Sequence, residues 1–358
     1  MGNNSSAYQG CLLGLAVGDA LGYSVDDKSW AQIQEAYGPN GLLGYDLQND
    51  YADVTSYTQI AAYLCNALLL SISRRGTDSR IPYVTLGLKE WGRSQQYYRD
   101  PEHSYCWIAK LPAFRRRHCR DPRMLDTLRL QAFGTPEKPA NRYTSPGALT
   151  EAIAIGMFYD GRRMTPDQIG ELSARTTALT HGGKEAILAG VVLSYAIAGI
   201  LQDPDTALKD QFTQAIAVMQ SQFPCEEANA MAEHLQQVFL MAKDESLSIF
   251  QGMEQLHCET AEECLAGAMY ASLACGDDFD QAMIGAVNHS GYSAATGAAA
   301  GAILGARMGI DALPDFYVES IEPRDALVIL AEDLLCSTPS TGLFDDDWDQ
   351  KYVQGEPL

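Results

Sequence analysis

The stretch Asn288–Ala306, "NHSGYSAATGAAAGAILGA", constrains this chain more than any other. It opens polar and ends as a run of Gly and Ala with almost no side-chain bulk. The spacing between packed helices follows the size of the residues at their contact, so small residues bring two backbones close. Residues 298–306 therefore read as a helix pressed hard against others. A polar turn docked on such a helix is a natural place for an active site. Yet the turn holds Tyr292, Ser293, Ala294 and Ala295, and none of these is a carboxylate.

Elsewhere the apolar residues recur at helical spacing. "TQIAAYLCNALLLSI" places Ile60, Leu64 and Leu68 on one face, and "KEAILAGVVLSYAIAGIL" and "AEECLAGAMYASLA" keep the same period. Thr165 followed by Pro166 marks a helix start, as does the Asp203-Pro204-Asp205 run. Strand-like alternation is short and rare. The pattern predicts an all-α protein of a dozen or more helices, with one domain over residues 1–340 and an acidic tail over 341–358. The loops richest in Gly, Pro and polar residues are Asp27–Val54, Gly76–Pro82 and Gly134–Pro146. In the tail, Trp348 of "DDDWDQ" (Asp345–Gln350) is a candidate for packing back onto the body.

Composition narrows the function. A net charge of −21 repels phosphate backbones, which argues against nucleic-acid binding. The one basic cluster, Arg115–Arg120, reads most simply as a solvated helix face. No apolar run is judged to reach the roughly 18 residues that a membrane helix needs. The N-terminus lacks a basic region ahead of its apolar stretch, so no signal peptide is expected. Nine cysteines, odd in number and scattered through apolar helical contexts, suggest reduced thiols and a cytoplasmic protein. "HCETAEEC" has two sulfurs six apart without a second pair, a weak zinc signal.

Four polar turns abut small-residue helices: Gly18–Asp27, Ala52–Ala61, Thr177–Ala186 and the opening stretch. Each has a plain reading. Asp19 can end a helix, Thr55, Ser56 and Thr58 can cap one, His181 can be a satisfied packing histidine, and Asn288 can brace a turn. Taken together and in this order, however, "GCLLGLAVGDALG", the Thr-x-x-Thr turn, "LTHGGKEAILAG" and "NHSG…TGAAAGAILGA" resemble the ADP-ribosylglycohydrolase (crystallin J1) family over about Gly10–Ala306. The resemblance implies a compact orthogonal bundle of helices built around two magnesium ions. Members cleave ADP-ribose from arginine, serine or dinitrogenase reductase, or hydrolyse related compounds.

The family's two acidic turns are altered here. Ser56 and Tyr57 stand in place of two aspartates, Tyr292 and Ala294 in place of two more, and Ala295 replaces a hydroxyl ligand. The acid after "GDALG" survives as Asp26. Magnesium takes oxygen ligands in octahedral array, mostly carboxylates, and a pair of ions needs negative ligands to offset their repulsion. The expectation is that the magnesium pair is absent and no cofactor takes its place. The resemblance also aligns a Gly-rich phosphate loop with "SPGALTE". Gly147 remains, Pro146 removes a donor, and Glu151 adds a negative charge.

Two functional readings follow. One is a pseudoenzyme that binds ADP-ribose or an ADP-ribosylated partner. The other is a metal-independent hydrolase of ADP-ribosyl or related glycosidic bonds, with Asp26 or Asp53 as the base and Tyr57, Tyr292 and His289 orienting substrate. The candidate site residues are Asp26, Tyr57 and Tyr292 for catalysis, and Ser56, Ser145, Gly147, His181, Asn288, His289 and Ser293 for ligand binding.

Overall fold

The computed structural model describes residues 2–47, 51–73, 80–96, 103–159, 164–336 and 346–357. Residues 48–50 and 76–79 of the expected loops, and Asp345 and the rest of 341–345 in the tail, lie outside the described residues. Among the described residues the chain is helical, with no β-strand and one isolated parallel bridge between Ala52 and Ile321. The first helices are α1 (Gly2–Tyr23), α2 (Trp30–Tyr37), α3 (Ser56–Ser73), α4 (Ile81–Gln96), α5 (Pro122–Leu130), α6 (Gly147–Phe158) and α7 (Pro166–Ala178). Then come α8 (Lys184–Gln202), α9 (Leu208–Gln222), α10 (Glu226–Met241), α11 (Ile249–Gln255), α12 (Ala261–Ala274), α13 (Phe279–Val287) and α14 (Ser293–Met308). The chain closes with α15 (Asp315–Val318), α16 (Arg324–Cys336) and α17 (Asp346–Asp349).

Of the two expected start signals the first holds and the second does not: Asp203 ends α8, and α9 begins at Leu208 after Ala207 with no side-chain cap. Thr165 and Gln168 form a capping box on α7, with Pro166 in its first turn. Thr260 and Glu263 do the same for α12.

The small-residue run becomes α14, and its partner is α1. The two lie antiparallel at the centre of the bundle. Gly10, Gly14 and Gly18 of α1 face Gly305, Gly301 and Gly297 of α14, and a Cβ on any of the six would overlap the facing carbonyl. Gly22 ends the row, against the backbone of Ser293 and Ala294. Glycine every four residues on both helices puts backbone on backbone, closer than any side chain permits. Around this pair, α6, α8, α12 and α13 pack on α14, while α16 packs on α1.

Helix α8 is long and apolar enough to pass a membrane-span test, against the reading of the sequence, but 78% of its apolar window is buried inside the protein. All nine cysteines are free. Trp348 is buried, and its indole N–H donates to Ser73 Oγ at 2.8 Å.

The basic cluster is not a solvated helix face. Pro112–Arg115 is one turn of 3-10 helix, and the following residues are irregular. Arg116 is paired with Asp53 at 2.7 Å and with Glu322. Arg120 points inward. The acids that neutralise these two lie far away in sequence, so a local reading sees only charge.

Candidate functional site

The Thr-x-x-Thr turn opens α3, and Asp19 of α1 holds it. One Asp19 oxygen accepts Thr55 Oγ1–H at 2.7 Å; the other accepts Thr58 Oγ1–H at 2.6 Å and the N–H groups of Thr55 and Thr58 at 2.8 and 3.1 Å. These amides are among the unpaired donors of a helix start, and a buried carboxylate from another helix satisfies them. Asp19 thus acts as a cap supplied in space rather than in sequence.

Asp26 does the same for α14. Its Oδ1 accepts the Ala294 N–H at 2.8 Å. Its Oδ2 receives Arg120 Nε and Nη2 at 2.8 and 2.6 Å. Burial pushes the Asp26 carboxyl up to about 6, against the pull of Arg120 and the Ala294 amide. Arg120 reaches the first turn as well, its backbone N–H donating to Ser56 Oγ at 2.9 Å. Ser56 N–H in turn donates to the His118 carbonyl at 3.0 Å. The two turns expected to share a site are therefore joined, through Arg120 and Asp26.

Both tyrosines lie here. Tyr57 is buried, and its hydroxyl has no hydrogen-bond partner, which rules out a bond to Tyr292. Burial, then the charges of Asp26 and Asp121, push the Tyr57 phenol well above its ordinary value. Half-buried Tyr292 is raised by burial and by the same two acids. Neither phenol is a base at neutral pH.

The third cluster sits where α6 begins. Asp121 caps α5, taking the Met124 N–H at 3.0 Å. Its Oδ2 also accepts Ser145 Oγ–H at 2.6 Å and faces His181 Nε2 at 3.0 Å. A Cβ on Gly147 would stand 3.0 Å from that oxygen and 3.3 Å from the imidazole, a tight fit that glycine relieves. His181 Nδ1 lies 2.8 Å from Thr180 Oγ1, which donates to Glu151 Oε1 at 2.7 Å. Burial opposes both charges of the Asp121–His181 pair, yet hydrogen bonding and charge between them hold Asp121 down at about 2 and raise His181. The carboxylate stands between serine and histidine, so the imidazole cannot accept the serine's proton. This is not a nucleophile triad.

Glu151 departs from expectation. It lies in the first turns of α6 and is fully buried, its Oε2 is unpaired, and burial lifts it to about 8. It is a neutral acid at neutral pH, not a charge at a phosphate loop. A carboxyl raised on folding holds a proton that the unfolded chain has released. Its contribution is full below the ordinary glutamate range, near about 4.3, and is lost as pH rises toward the folded value. Raised His181 acts in the same sense above about 6.5, where the unfolded imidazole has lost its proton. Stability should therefore fall between about pH 5.5 and about pH 8.5. Urea melts at both pH values should show it, and Glu151→Gln should flatten the slope. An unchanged slope in that variant would contradict a protonated Glu151.

The sequence profile of the ADP-ribosylglycohydrolase family matches residues 3–342. The chain belongs to the ADP-ribosylglycohydrolase family. An uncharacterized protein of Archaeoglobus fulgidus is 25% identical over 333 residues, spanning 91% of this chain and 95% of its own. A solved structure titled "ADP-ribosylglycohydrolase-related protein complex" superposes with a TM-score of 0.60 at 21% identity, covering 93% of this chain and 98% of that one. At that identity the likeness speaks to the fold alone.

Against the ADP-ribosylglycohydrolase family's magnesium pair, the donors present do not fit. Both oxygens of Asp19 and both of Asp26 are already engaged by protein donors. Ser56 and Tyr57 offer neutral hydroxyls, and Ala294 offers none. Among the described residues no three His, Cys, Asp or Glu side chains gather as a metal site.

The last family element is structural in this chain. Asn288 Nδ2 donates to the Leu42 and Ile284 carbonyls at 2.9 and 2.8 Å, and its Oδ1 accepts the Leu42 N–H at 2.8 Å. His289 Nε2 lies 3.0 Å from the Ala286 carbonyl, and Nδ1 accepts the Gly291 N–H at 3.0 Å. Burial drops His289 to about 4, so it is neutral with both nitrogens engaged. Ser293 Oγ donates to the His289 carbonyl at 3.3 Å. Sequence reasoning put these three toward a ligand, and their polar atoms are directed at backbone. It missed Arg120 and Asp121. Nothing local pointed to them, because Asp26 is followed by Asp27 and Lys28 in a polar stretch and its partner Arg120 lies 94 residues away.

Proposed function

We propose that this member of the ADP-ribosylglycohydrolase family is a pseudoenzyme. It keeps the scaffold, has lost the two-magnesium hydrolysis, and acts by binding an ADP-ribosyl group, free or carried on a partner protein. The observation that carries the loss of hydrolysis is the Asp26–Arg120 pair: the one retained acid is held by a guanidinium at 2.6 Å instead of facing an open cation position. The ligand class comes from the family. The candidate bases give little support to reading the chain as a metal-independent hydrolase. Asp26 is ion-paired with Arg120 and Asp53 with Arg116, His289 is neutral and fully engaged, and the Tyr57 phenol stays protonated.

Two measurements test the proposal on one preparation. Titration calorimetry with ADP-ribose should show binding that magnesium and chelator leave unchanged. ADP-ribosylated arginine and serine peptides should stay intact with and without magnesium. Release of ADP-ribose that rises with magnesium would overturn the loss of hydrolysis. Absence of heat with both ADP-ribose and the peptides would overturn the ligand class.

A further inference from the structure

We infer that Arg120 is the resident cation of this site. Its guanidinium is a built-in, non-dissociating substitute for an external ion, and the segment that carries it is pinned to the start of α3 at Ser56. The inference rests on the non-hydrolytic reading above, and it adds what fills the site in place of metal.

The geometry is that of a cation site already complete. The Asp26 side chain is 0% exposed and lies between two positive partners, the N-terminal amide of α14 and the Arg120 guanidinium. Nε and Nη2 both reach Oδ2, and Nη2 also reaches Asp27 Oδ1 at 2.7 Å. The guanidinium carbon lies 5.7 Å from the Tyr23 ring centroid, within cation–π range. The segment is pinned on both sides of this contact. Upstream, His118 pairs with the Ser56 and Val54 backbone. Downstream, Asp121 is fixed by Ser145, His181 and Met124. An arginine anchored this way loses little further freedom on pairing. A dication in its place would meet the Asp26 and Asp27 carboxylates, would need several more oxygens in octahedral array, and would find neutral hydroxyls. The planar fork of the guanidinium is satisfied by the two carboxylates alone, and that favours it. Consecutive residues, Arg120 and Asp121, thus pair in opposite senses, the cation with Asp26 and the anion with His181.

Chemical rescue tests this directly. Arg120→Ala should leave a guanidinium-sized gap bounded by Asp26, Asp27 and Tyr23, with an uncompensated buried acid. Its melting temperature should drop by about 5 °C or more. Methylguanidinium at low millimolar concentration should restore at least half of that loss, and sodium chloride of equal ionic strength or magnesium chloride should not. Equal rescue by sodium or magnesium, or an Arg120→Ala variant as stable as the parent, would overturn the inference. If Arg120→Ala does not fold, Arg120→Met and the double variant Asp26→Asn/Arg120→Met take its place. Removing the unpaired acid should make the double variant the more stable, and a double variant no more stable than Arg120→Met also overturns the inference. These readouts are melting temperatures, so a failure here is separate from hydrolysis by the parent, which would fell the functional proposal instead.

Discussion

Gly14→Val and Gly301→Val should each abolish the folded protein. A Cβ at either position would overlap the facing helix's carbonyl group, backbone against backbone. A flexible side chain could swing aside, but a helix backbone cannot. Relief requires α1 and α14 to separate, and every glycine pair along the row separates with them. Ordinary overpacking in a core costs about 1–3 kcal/mol. Prying apart the central helix pair forfeits packing along its whole length, and total stabilities are only about 5–15 kcal/mol. Gly14→Ala already carries the offending Cβ and should melt well below the parent. Gly44→Ala is the control, because a Cβ there meets nothing within 4 Å. Soluble yield and thermal melts decide the matter. A Gly14→Val protein that melts cooperatively within a few degrees of the parent would show that the glycine contact is not what sets the helix spacing.

Restoring the family's acids should make folding depend on magnesium. Ser56→Asp, Tyr57→Asp, Tyr292→Asp and Ala294→Asp together would place four new carboxylates near Asp26. Without metal they repel one another and lose hydration, so in chelator the variant should be far less stable than the parent, or unfolded. Magnesium should then raise its melting temperature with concentration, by mass action on the folded state. Arg120 complicates this in a useful way. Its guanidinium would remain bound to Asp26 and compete with the ion. Adding Arg120→Ala should therefore enlarge the response to magnesium. The parent should not respond. If parent and variants answer magnesium alike, then either these turns are not the family's acidic turns or the pocket has closed around the tyrosines.

Much of this architecture was legible in the sequence. Apolar residues at helical spacing marked the helices, and the Thr165-Pro166 start fell where the capping box is. The bulkless run at 298–306 announced a close helix contact, but not with which helix. The answer was also written there, as glycines four apart at Gly10, Gly14, Gly18 and Gly22 matching Gly297, Gly301 and Gly305. Pairing two such rows needs the three-dimensional structure. The polar groups were harder for the same reason. Asn288 answers Leu42, Arg120 answers Asp26, and Glu151 answers Thr180. Each partner is remote in the chain, and each changes what the residue can do. Glu151 written as a letter is a negative charge; on the buried face of α6, it is a neutral acid.

Gly18 and Asp19 are neighbours on α1, and they do different work. Gly18 seats α14 by backbone contact, and Asp19 seats the start of α3 through hydrogen bonds to Thr55 and Thr58. Both turns of the site are thus located from one short length of a single rigid rod. Positional error between them does not accumulate through the long stretch of chain that separates Tyr57 from Tyr292. It is set by a common datum, as two fittings drilled from one jig hold their spacing whatever is later mounted on them. The alignment of the turns is then independent of the residues they present. Acids can be exchanged for tyrosine, serine or alanine while the two faces still meet.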